Sequence, residues 1–369
     1  MNVLVVFTFN YSLETWKNSG TLNREVSIYK KLHEKNNVNF VFLTYGDGSD
    51  QKFDLSSYGI KVIPIYTYVK KSNYKFLNYI KSFFIPIKLL KLLKKQNIDI
   101  IKQNQLLGSW VAILIKLLLK KPLFTRTGYD MYTFSKNMGK SIYIQFLYKS
   151  LTSLTLRFSD LYTVSSKSDL KLFKRSKKKV LYRPNWILPI NTPVNIKKIN
   201  KFISIGRLEM QKNYEKTIEF ISETNFEIDI VGDGSLSLKL ANLADSKNIK
   251  MQILNQLEND ELLSLLAKYK FYISNSNFEG HPKSLLEAMS VGCVVFASNI
   301  SNHIELIDHG KNGFLIDNNS KKSFEDLLEN INNWDLESIS KNAVSFVNKN
   351  FSLEKASDEE FLDYNSIIF

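Results

Sequence analysis

The chain has 369 residues, of which 44% are hydrophobic and 23% charged, a composition that excludes a disordered protein and favours two globular domains. Its single cysteine, Cys293, excludes an internal disulfide framework and fits a reducing compartment, and no apolar run reaches the ~20 residues that a transmembrane helix needs. Residues 1–200 contain 34 Lys and Arg and 10 Asp and Glu residues, a net charge of +24, whereas residues 201–369 carry −10. This asymmetry predicts two domains with different partners.

The first half of the chain alternates β-rich runs with amphipathic segments. This pattern predicts a parallel sheet with helices on both faces. The opening run, NVLVVFTF, lacks the basic start of a signal peptide and predicts a first buried strand, so we expect a cytoplasmic protein. Helices are predicted at residues 20–35 and 106–119. Further strands are predicted at residues 38–46, 60–66, 98–104, 122–130 and 160–166.

The stretch from Tyr182 to Asn200 contains three prolines and has no periodicity, which is typical of an interdomain linker. After it the alternation restarts, with strands predicted at residues 201–207, 226–234, 249–255, 270–276 and 293–298. The sequence therefore predicts an α/β protein with two doubly wound halves. Its predicted parts are an N-terminal domain (1–184), a linker (185–200), a C-terminal domain (201–350) and a terminal helix (351–369).

The segment ISIGRLEMQKN places two cations directly after a predicted strand. The strand ends at Gly206, Arg207 follows, and Lys212 comes just before a predicted helix. Ligands of parallel sheets bind at the carboxyl ends of strands, where a guanidinium and an ammonium group suit a diphosphate. Taken alone, the same residues also fit two solvated surface cations.

A second turn between strand and helix, VGDG, contains Gly232, Asp233 and Gly234. Its glycines permit close approach of a ligand to the backbone, although the dinucleotide pattern G-x-G-x-x-G is absent. The motif alone is equally typical of an ordinary connection between a strand and a helix.

The segment NFEGHPKSLLEAMSVGC carries two glutamates, Glu279 and Glu287, eight residues apart. Pro282 suits the first position of a helix, whose N-terminal amides form a site for an anion. On a helix this spacing separates the carboxylates by ~12 Å, which excludes a shared proton and fits poorly with a glycosidase pair. Carboxylates on either side of an anion site suit the hydroxyl groups of a sugar nucleotide. The alternative is one glutamate in a solvated loop and one on a helix surface.

Four segments occur in one order: GRLEMQKN, VGDG, EGHPKSLLEAMSVGCVVFAS and NGFLI. Across residues 202–316 this order resembles the retaining glycosyltransferases of family 4. The resemblance implies the GT-B fold, in which two Rossmann-like, doubly wound α/β domains face a cleft and the C-terminal helix returns to the first domain. It also implies a nucleotide-sugar donor linked to UDP or GDP, no metal and no bound cofactor.

The resemblance assigns the donor site to the C-terminal half. Arg207 and Lys212 would bind the diphosphate, and Glu287 would hold the ribose hydroxyls. Glu279 would face the donor sugar and, with the two cations, is a catalytic candidate. The other assigned residues bring backbone to the ligand: Gly280, His281 and Pro282 at the sugar, Ser284 and Leu285 at the distal phosphate, and Gly232, Asp233 and Gly234 near the base.

The N-terminal half departs from the family pattern. The first strand is not followed by a glycine-rich loop, so Gly20 and Thr21 are the candidates for contact with the donor diphosphate. The histidine that many relatives carry after a mid-domain strand is replaced by FTRTGYD, in which Arg126 or Asp130 would occupy its neighbourhood.

Lysines are interleaved with apolar residues from Tyr74 to Gln96, and a second cationic cluster occupies residues 170–180. Basic amphipathic segments of this kind bind anionic membranes, where Phe83, Phe84 or Leu89 would enter the interface. Core helices with solvated lysines explain the pattern equally well. No helix-turn-helix or RNA-recognition signature supports nucleic acid as a partner.

The predicted activity is transfer of a hexose-like unit to a glycan. The favoured acceptor is a lipid-linked glycan of cell-envelope polysaccharide or lipopolysaccharide synthesis, met at the inner face of the membrane by a peripheral enzyme. Two alternatives stay open: a nucleotide-sugar epimerase of the same architecture, and a non-catalytic protein that binds sugar nucleotides.

Overall fold

The computed structural model describes residues 1–174, 176, 179–189, 198–222 and 224–368. The chain divides into two compact units. Unit 1 comprises Met1–Pro184 and Leu353–Phe369, and unit 2 comprises Asn185–Ser352. Residues 190–197 of the predicted linker lie outside the described residues, whereas Ile187 forms a parallel bridge with Ser352 inside unit 2.

The sheet of unit 1 has seven parallel strands in the order β3-β2-β1-β4-β5-β6-β7. The central strand is almost wholly apolar and buried on both faces, as expected for a parallel sheet covered by helices. The strands are β1 (Asn2–Val6), β2 (Asn39–Thr44), β3 (Ile60–Pro64), β4 (Ile100–Asn104), β5 (Leu123–Thr127), β6 (Leu161–Val164) and β7 (Val180–Tyr182).

Unit 2 contains six parallel strands in the order β10-β9-β8-β11-β12-β13. Alternate residues of its central strands point to opposite faces. Phe202 stacks on Phe271 on one face with ring centroids 5.1 Å apart, while Ile203 and Tyr272 belong to the core on the other. The strands are β8 (Ile199–Ile205), β9 (Ile228–Val231), β10 (Met251–Leu254), β11 (Tyr269–Ser274), β12 (Val294–Ser298) and β13 (Phe314–Ile316).

Helices connect these strands in both units. Among the described residues they are α1 (Leu13–Asn18), α2 (Leu22–Asn36), α3 (Ile65–Tyr68), α4 (Lys75–Ser82), α5 (Ile85–Lys94), α6 (Ser109–Leu119), α7 (Met131–Asn137), α8 (Ile142–Phe158), α9 (Lys167–Leu172), α10 (Tyr214–Ile221), α11 (Ser237–Ser246), α12 (Asn259–Leu266), α13 (Lys283–Ser290), α14 (Ser301–Ile304), α15 (Lys321–Glu329), α16 (Leu336–Phe351) and α17 (Leu353–Ile368). Short 3-10 helices occupy Asp50–Lys52, Ser56–Tyr58, Met210–Lys212 and Ile331–Asn333.

The α/β class and the two doubly wound sheets confirm the predicted fold class, and every strand predicted above is present. The prediction that Pro282 is the first helical residue is wrong by one position, because Pro282 is the N-cap of α13 with ψ at 96°. The expectation that Leu89 enters a membrane interface is also wrong, because Leu89 is buried in the core of unit 1.

Helix α17 belongs to unit 1 and packs on α2. Its attachment to the sheet is a buried charged pair, in which the Lys102 ammonium of β4 and the Tyr364 hydroxyl both donate to Glu360 Oε1. Nearby, Arg183 donates two hydrogen bonds of 2.8 Å to the Asp363 carboxylate. Because a buried ammonium is unfavourable without a carboxylate partner, these contacts fix the position of α17 on unit 1.

Among the residues that the structure describes, no helix combines the length and apolarity needed to cross a bilayer.

Candidate functional site

The reversal of strand order in unit 2 falls between β8 and β11, which are neighbours at the centre of the sheet. Doubly wound sheets bind ligands outside the carboxyl ends of the strands at this point. The loop after β8 holds Gly206 to Asn213, and the loop after β11 holds Asn275 to Pro282. The sheet topology thus brings the two main sequence motifs to one edge.

Lys212 and Glu279 form an ion pair between these two loops. Lys212 Nζ lies 2.7 Å from Glu279 Oε1, and Ser276 Oγ donates to the same oxygen at 2.6 Å. The two charged side chains are only 15% and 8% exposed. Burial alone would raise the pKa of Glu279. The Lys212 ammonium and the Ser276 hydroxyl nevertheless hold this pKa below its usual value. The carboxylate therefore stays ionised at neutral pH.

Two further side chains join the same loops. Gln211 Nε2 donates to Phe278 O at 3.0 Å and to Glu279 Oε2 at 3.3 Å. In return, the backbone N–H of Asn277 donates to Gln211 O at 2.9 Å, and its side-chain amide donates to Met210 O at 3.2 Å. These bonds hold the loops in one arrangement, and nothing in the sequence spacing predicted them.

Arg207 contrasts with Lys212, because its side chain is exposed at the rim of the same loop. The neighbouring Glu209 carboxylate accepts hydrogen bonds from Ser235 N at 3.2 Å and Ser235 Oγ at 3.0 Å, and it also interacts electrostatically with Arg207. These bonds lower the pKa of Glu209. Because its side chain is exposed, the guanidinium of Arg207 is accessible to an anionic ligand.

Helix α13 begins directly after the second loop. Its N-cap is Pro282, whose side chain makes no capping hydrogen bond. Since the first four N–H groups of a helix lack partners within the helix, the amides that begin with Lys283 and Ser284 provide an anion site next to Glu279. Tyr272 of β11 orients Ser284, because its hydroxyl donates to Ser284 Oγ at 3.0 Å.

Glu287 lies one turn further into α13 and is 2% exposed, so the alternative of a helix-surface glutamate is wrong. Asn259, the first residue of α12, donates from Nδ2 to Glu287 Oε1 at 2.9 Å. The sequence did not indicate Asn259 as a partner of this carboxylate. The assignment of Glu287 to the ribose stays a prediction.

The backbone between the two glutamates is held by two asparagines that sequence reasoning missed. Asn302 Nδ2 donates to Gly280 O at 2.5 Å, and Asn185 Nδ2 donates to His281 O at 2.9 Å. The His281 ring is buried and packs against Phe351 with centroids 5.4 Å apart. Across the described residues, no group of three or more His, Cys, Asp or Glu side chains is arranged to hold a metal ion.

Gly232 and Gly234 permit close packing of the VGDG turn on the loop after β8. A Cβ on Gly232 would lie 2.0 Å from Gly206 O, and one on Gly234 would lie 2.5 Å from Leu208 O. Leu208 N also donates to Asp233 O at 2.9 Å. The glycines are therefore required by contact between two loops, and a role near the base of the donor stays a prediction.

His303 lies in a layer behind the Lys212–Glu279 pair. Its Nδ1 donates to Ser298 O at 2.9 Å, and Ser298 Oγ in turn donates to Ser276 O at 2.6 Å. Burial lowers the pKa of His303 to about 4, even though the nearby Glu279 opposes this shift. His303 is thus a neutral residue that supports the loop of Ser276.

The candidates of unit 1 have local structural roles. Gly20, with a φ of 60°, closes the turn after α1, and Thr21 Oγ1 hydrogen-bonds to Ser19 Oγ at 2.9 Å without capping α2. Arg126 Nη2 donates to Pro184 O at 2.9 Å. Asp130 is the N-cap of α7 and accepts a bond of 2.8 Å from Thr133 N. Donor contact by Gly20 stays a prediction.

Comparison with known proteins identifies the family. The family model of glycosyl transferases group 1 matches residues 191–343. The capsular polysaccharide biosynthesis glycosyltransferase CapH of Staphylococcus aureus is 30% identical over 251 residues, which are 63% of this chain and 68% of that protein. The chain belongs to the group 1 glycosyltransferases.

Other relatives of this glycosyltransferase match at different lengths. The UDP-Gal:alpha-D-GlcNAc-diphosphoundecaprenol alpha-1,3-galactosyltransferase of Escherichia coli is 25% identical over 319 residues, 76% of this chain and 82% of that one. An uncharacterized glycosyltransferase of Methanocaldococcus jannaschii is 30% identical over 154 residues. These residues are 41% of this chain and only 44% of the length of that protein.

Solved structures place the glycosyltransferase in the GT-B fold. The sucrose-phosphate synthase of Thermosynechococcus elongatus superimposes with a TM-score of 0.79 at 14% identity, covering 99% of both chains. HepE of Anabaena, solved with UDP and glucose, superimposes with a TM-score of 0.74 at 16% identity, covering 99% of this chain and 100% of that one. At these identities the likeness shows the fold alone.

Proposed function

We propose that this glycosyltransferase transfers a sugar, with retention of anomeric configuration, from a nucleoside diphosphate sugar to a glycan acceptor. The donor site in this proposal consists of the loop 206–213, the loop 275–282 and the start of α13. The observation that carries it is the Lys212–Glu279 pair, which joins a cation and a carboxylate beside the N-terminus of α13. A sugar diphosphate presents the complementary groups, hydroxyls next to an anion.

The leaving diphosphate is bound without a metal ion in this proposal. Arg207 offers an exposed guanidinium, Lys212 an ammonium, and α13 the partial positive charge of its first amides. These groups stabilise the charge that develops when the bond between the sugar C1 and the phosphate oxygen breaks. We therefore expect transfer to continue in excess EDTA. Loss of activity that a divalent ion restores would contradict this part of the proposal.

The two carboxylates have separate tasks. Glu279, held ionised by Lys212, faces the donor sugar, where it accepts hydroxyl hydrogen bonds and opposes the positive charge that develops at C1. Glu287, fixed by Asn259, accepts hydrogen bonds from the ribose. The acceptor hydroxyl forms the new bond to C1 and gives its proton to the departing diphosphate oxygen, which leaves with the electrons of the broken bond.

The relatives support a class of donor and acceptor. The E. coli relative is named for a UDP-linked galactose and a sugar carried on diphosphoundecaprenol, and HepE was solved with UDP and glucose. The S. aureus relative is named for capsular polysaccharide. We therefore place UDP-hexoses before GDP-linked sugars as donors. The proposed acceptor is a lipid-linked glycan of cell-envelope polysaccharide or lipopolysaccharide synthesis, at the inner face of the cell membrane.

Thermal stabilisation by a panel of UDP- and GDP-sugars tests the proposal first, because a ligand at 100 times its Kd adds about 2.7 kcal/mol to stability. The stabilising donor is then incubated with lipid-linked and water-soluble glycans, and the anomeric configuration of the product is read by NMR. Retained configuration in a new glycoside supports the proposal. Inverted configuration contradicts retention, isomerisation of the donor without an acceptor indicates an epimerase, and binding without turnover indicates a non-catalytic protein.

A further inference from the structure

Unit 1 exposes large apolar side chains on two helical segments. The first segment comprises residues 74–87, which include α4, and the second comprises residues 142–147 at the start of α8. Together they form what we term the two-helix surface. Nine of its large apolar side chains are 51–84% exposed: Tyr74, Phe76, Phe83, Phe84, Ile87, Ile142, Tyr143, Phe146 and Leu147. Scattered apolar residues on a surface are ordinary, but so many on two short segments indicate a site of interaction.

The two segments are neighbours in unit 1. Trp110 of α6 stacks on Phe83 at 5.9 Å and donates from Nε1 to Ser82 Oγ at 2.8 Å. The other side of α6 contacts α8, where Thr155 Oγ1 donates to Ser109 Oγ at 2.8 Å. Tyr79 and Tyr148 lie near enough to influence each other electrostatically. Tyr148, the residue directly after the second segment, therefore lies near Tyr79 of the first segment, so the two segments are close to each other in unit 1.

The two stretches of chain that carry the two-helix surface have charges of a single sign. Residues 55–98 contain nine lysines, and residues 131–159 contain three lysines and one arginine, with no Asp or Glu in either stretch. Lys75 and Lys81 lie on α4 itself, and Lys149 lies on α8. A surface that binds another protein commonly carries both positive and negative side chains. Aromatic side chains surrounded only by positive ones suit the interface of an anionic bilayer.

We propose that the two-helix surface docks unit 1 on an anionic lipid bilayer. Phe76, Phe84, Tyr143 and Phe146 enter the boundary between headgroups and acyl chains, and the surrounding lysines contact lipid phosphates. Electrostatic attraction brings the surface to the bilayer and insertion of apolar side chains follows, so binding weakens as salt screens the lysines beyond ~8 Å. This inference rests on the proposed function only for the reason why the enzyme would bind a membrane. A lipid-linked acceptor is found in a bilayer.

Flotation of the full chain with vesicles tests the surface directly. The probes are phosphatidylglycerol and phosphatidylcholine vesicles, at low and high salt, without donor or acceptor. The Ile142→Ser/Phe146→Ser variant is compared with Leu238→Ser/Leu362→Ser, which removes apolar residues of similar exposure, 75% and 65%, elsewhere on the chain. In addition, Phe146→Trp places a fluorophore on α8 whose quenching by brominated lipid reports insertion.

We expect wild type to bind phosphatidylglycerol and not phosphatidylcholine, the Ile142→Ser/Phe146→Ser variant to lose about tenfold in partitioning, and the control to lose less than about twofold. Brominated lipid should quench Phe146→Trp. Equal behaviour of the two double variants, or no vesicle binding at low salt, overturns the proposal. So does a dimer in sedimentation that Ile142→Ser/Phe146→Ser dissociates while vesicle binding is absent, since a second copy then covers the surface.

Transfer to a water-soluble glycan separates this inference from the proposed function. The Ile142→Ser/Phe146→Ser variant should retain that activity while losing vesicle binding. Vesicle binding by a protein that transfers no sugar would contradict the proposed function and leave the docking surface intact.

Discussion

Lys212 Nζ lies 2.7 Å from Glu279 Oε1, although the two residues are 67 positions apart in the chain. The pair connects the loop after β8 to the loop after β11 at the edge of the unit 2 sheet. Each residue was assigned separately from its own motif, one to the diphosphate and one to the sugar. Their contact means that a substitution at either one changes the electrostatics of the other.

Lys212→Met should expose this coupling. Removing the ammonium leaves a largely buried carboxylate without its cation, so the pKa of Glu279 should rise and unit 2 should lose about 1–3 kcal/mol. Urea unfolding of Lys212→Met, Glu279→Gln and the double variant measures the interaction energy. Lys239→Met is the control, because its ammonium pairs with Glu215 at the surface. Additive effects of the two substitutions would argue against a coupled pair.

The fold was largely predictable from sequence because its signals are local. Short apolar runs separated by amphipathic segments predicted the strands of both sheets, including the central β1, β8 and β11. The strands β7 and β13 were not predicted. Each has three residues, which is too short for a periodicity, and β7 is only half-buried.

The candidate site was predictable only where the partners lie close in sequence. Glu279, Pro282 and Glu287 occur in one short segment, so their relation to the start of α13 followed from helix geometry. The bond from Asn259 to Glu287 and the support of His303 behind Ser276 depend on which strands are neighbours and in what register. Without the strand order, no spacing in the sequence selects those partners.

The two glutamates should differ in their effect on the donor. Glu287→Gln should weaken binding of a nucleoside diphosphate at least about tenfold, equivalent to ~1.4 kcal/mol, because it removes a charged acceptor for ribose hydroxyls. Glu279→Gln should spare that affinity and lower turnover of the sugar nucleotide, because its proposed partner is the sugar. Titration calorimetry with UDP and GDP, combined with kcat and KM, separates the two roles.

Asn259→Ala is the matched test of positioning. It removes the hydrogen bond to Glu287 Oε1 without touching the proposed ligand contacts, so it should reproduce part of the loss in nucleoside diphosphate affinity and leave kcat nearly unchanged. If Glu279→Gln and Glu287→Gln weaken nucleoside diphosphate binding equally, the division of roles is wrong.

Substitution of Gly232 or Gly234 by alanine should disturb the donor site through the backbone. The new Cβ would approach Gly206 O or Leu208 O to within 2.5 Å, so the loop that carries Arg207 must move. We expect a lower melting temperature and weaker nucleoside diphosphate binding. Gly48→Ala is the control, since nothing lies within 4 Å of its Cβ position. Unchanged stability in both variants would show that the turn does not require glycine.

The stability of unit 2 should fall with acid because of His303. Burial lowers the pKa of this imidazole from 6.5 to about 4, so between these pH values the unfolded chain binds the extra proton and the folded chain does not. Stability from this residue is therefore present above pH 6.5 and lost as pH falls toward 4, with a limit of about 3 kcal/mol.

NMR titration of the four histidines provides the measurement. One imidazole should titrate near pH 4, and its resonances should be missing from the spectrum of His303→Gln, whose unfolding free energy should depend less on pH in this range. Titration of the His303 imidazole near pH 6.5 would contradict its neutral, buried state.

Calorimetric titration of Arg207→Ala with UDP and GDP tests the location of the donor site most directly. Arg207 is exposed, so its removal should leave the melting temperature unchanged, yet it should weaken binding of the preferred nucleoside diphosphate by ~1.5–3 kcal/mol, about 10- to 150-fold. Lys247→Ala is the control, because it removes an exposed cation at the C-cap of α11. This variant should bind the nucleotide as tightly as wild type does. Equal affinity of wild type, Arg207→Ala and Lys247→Ala would contradict a diphosphate site at the carboxyl edge of the unit 2 sheet.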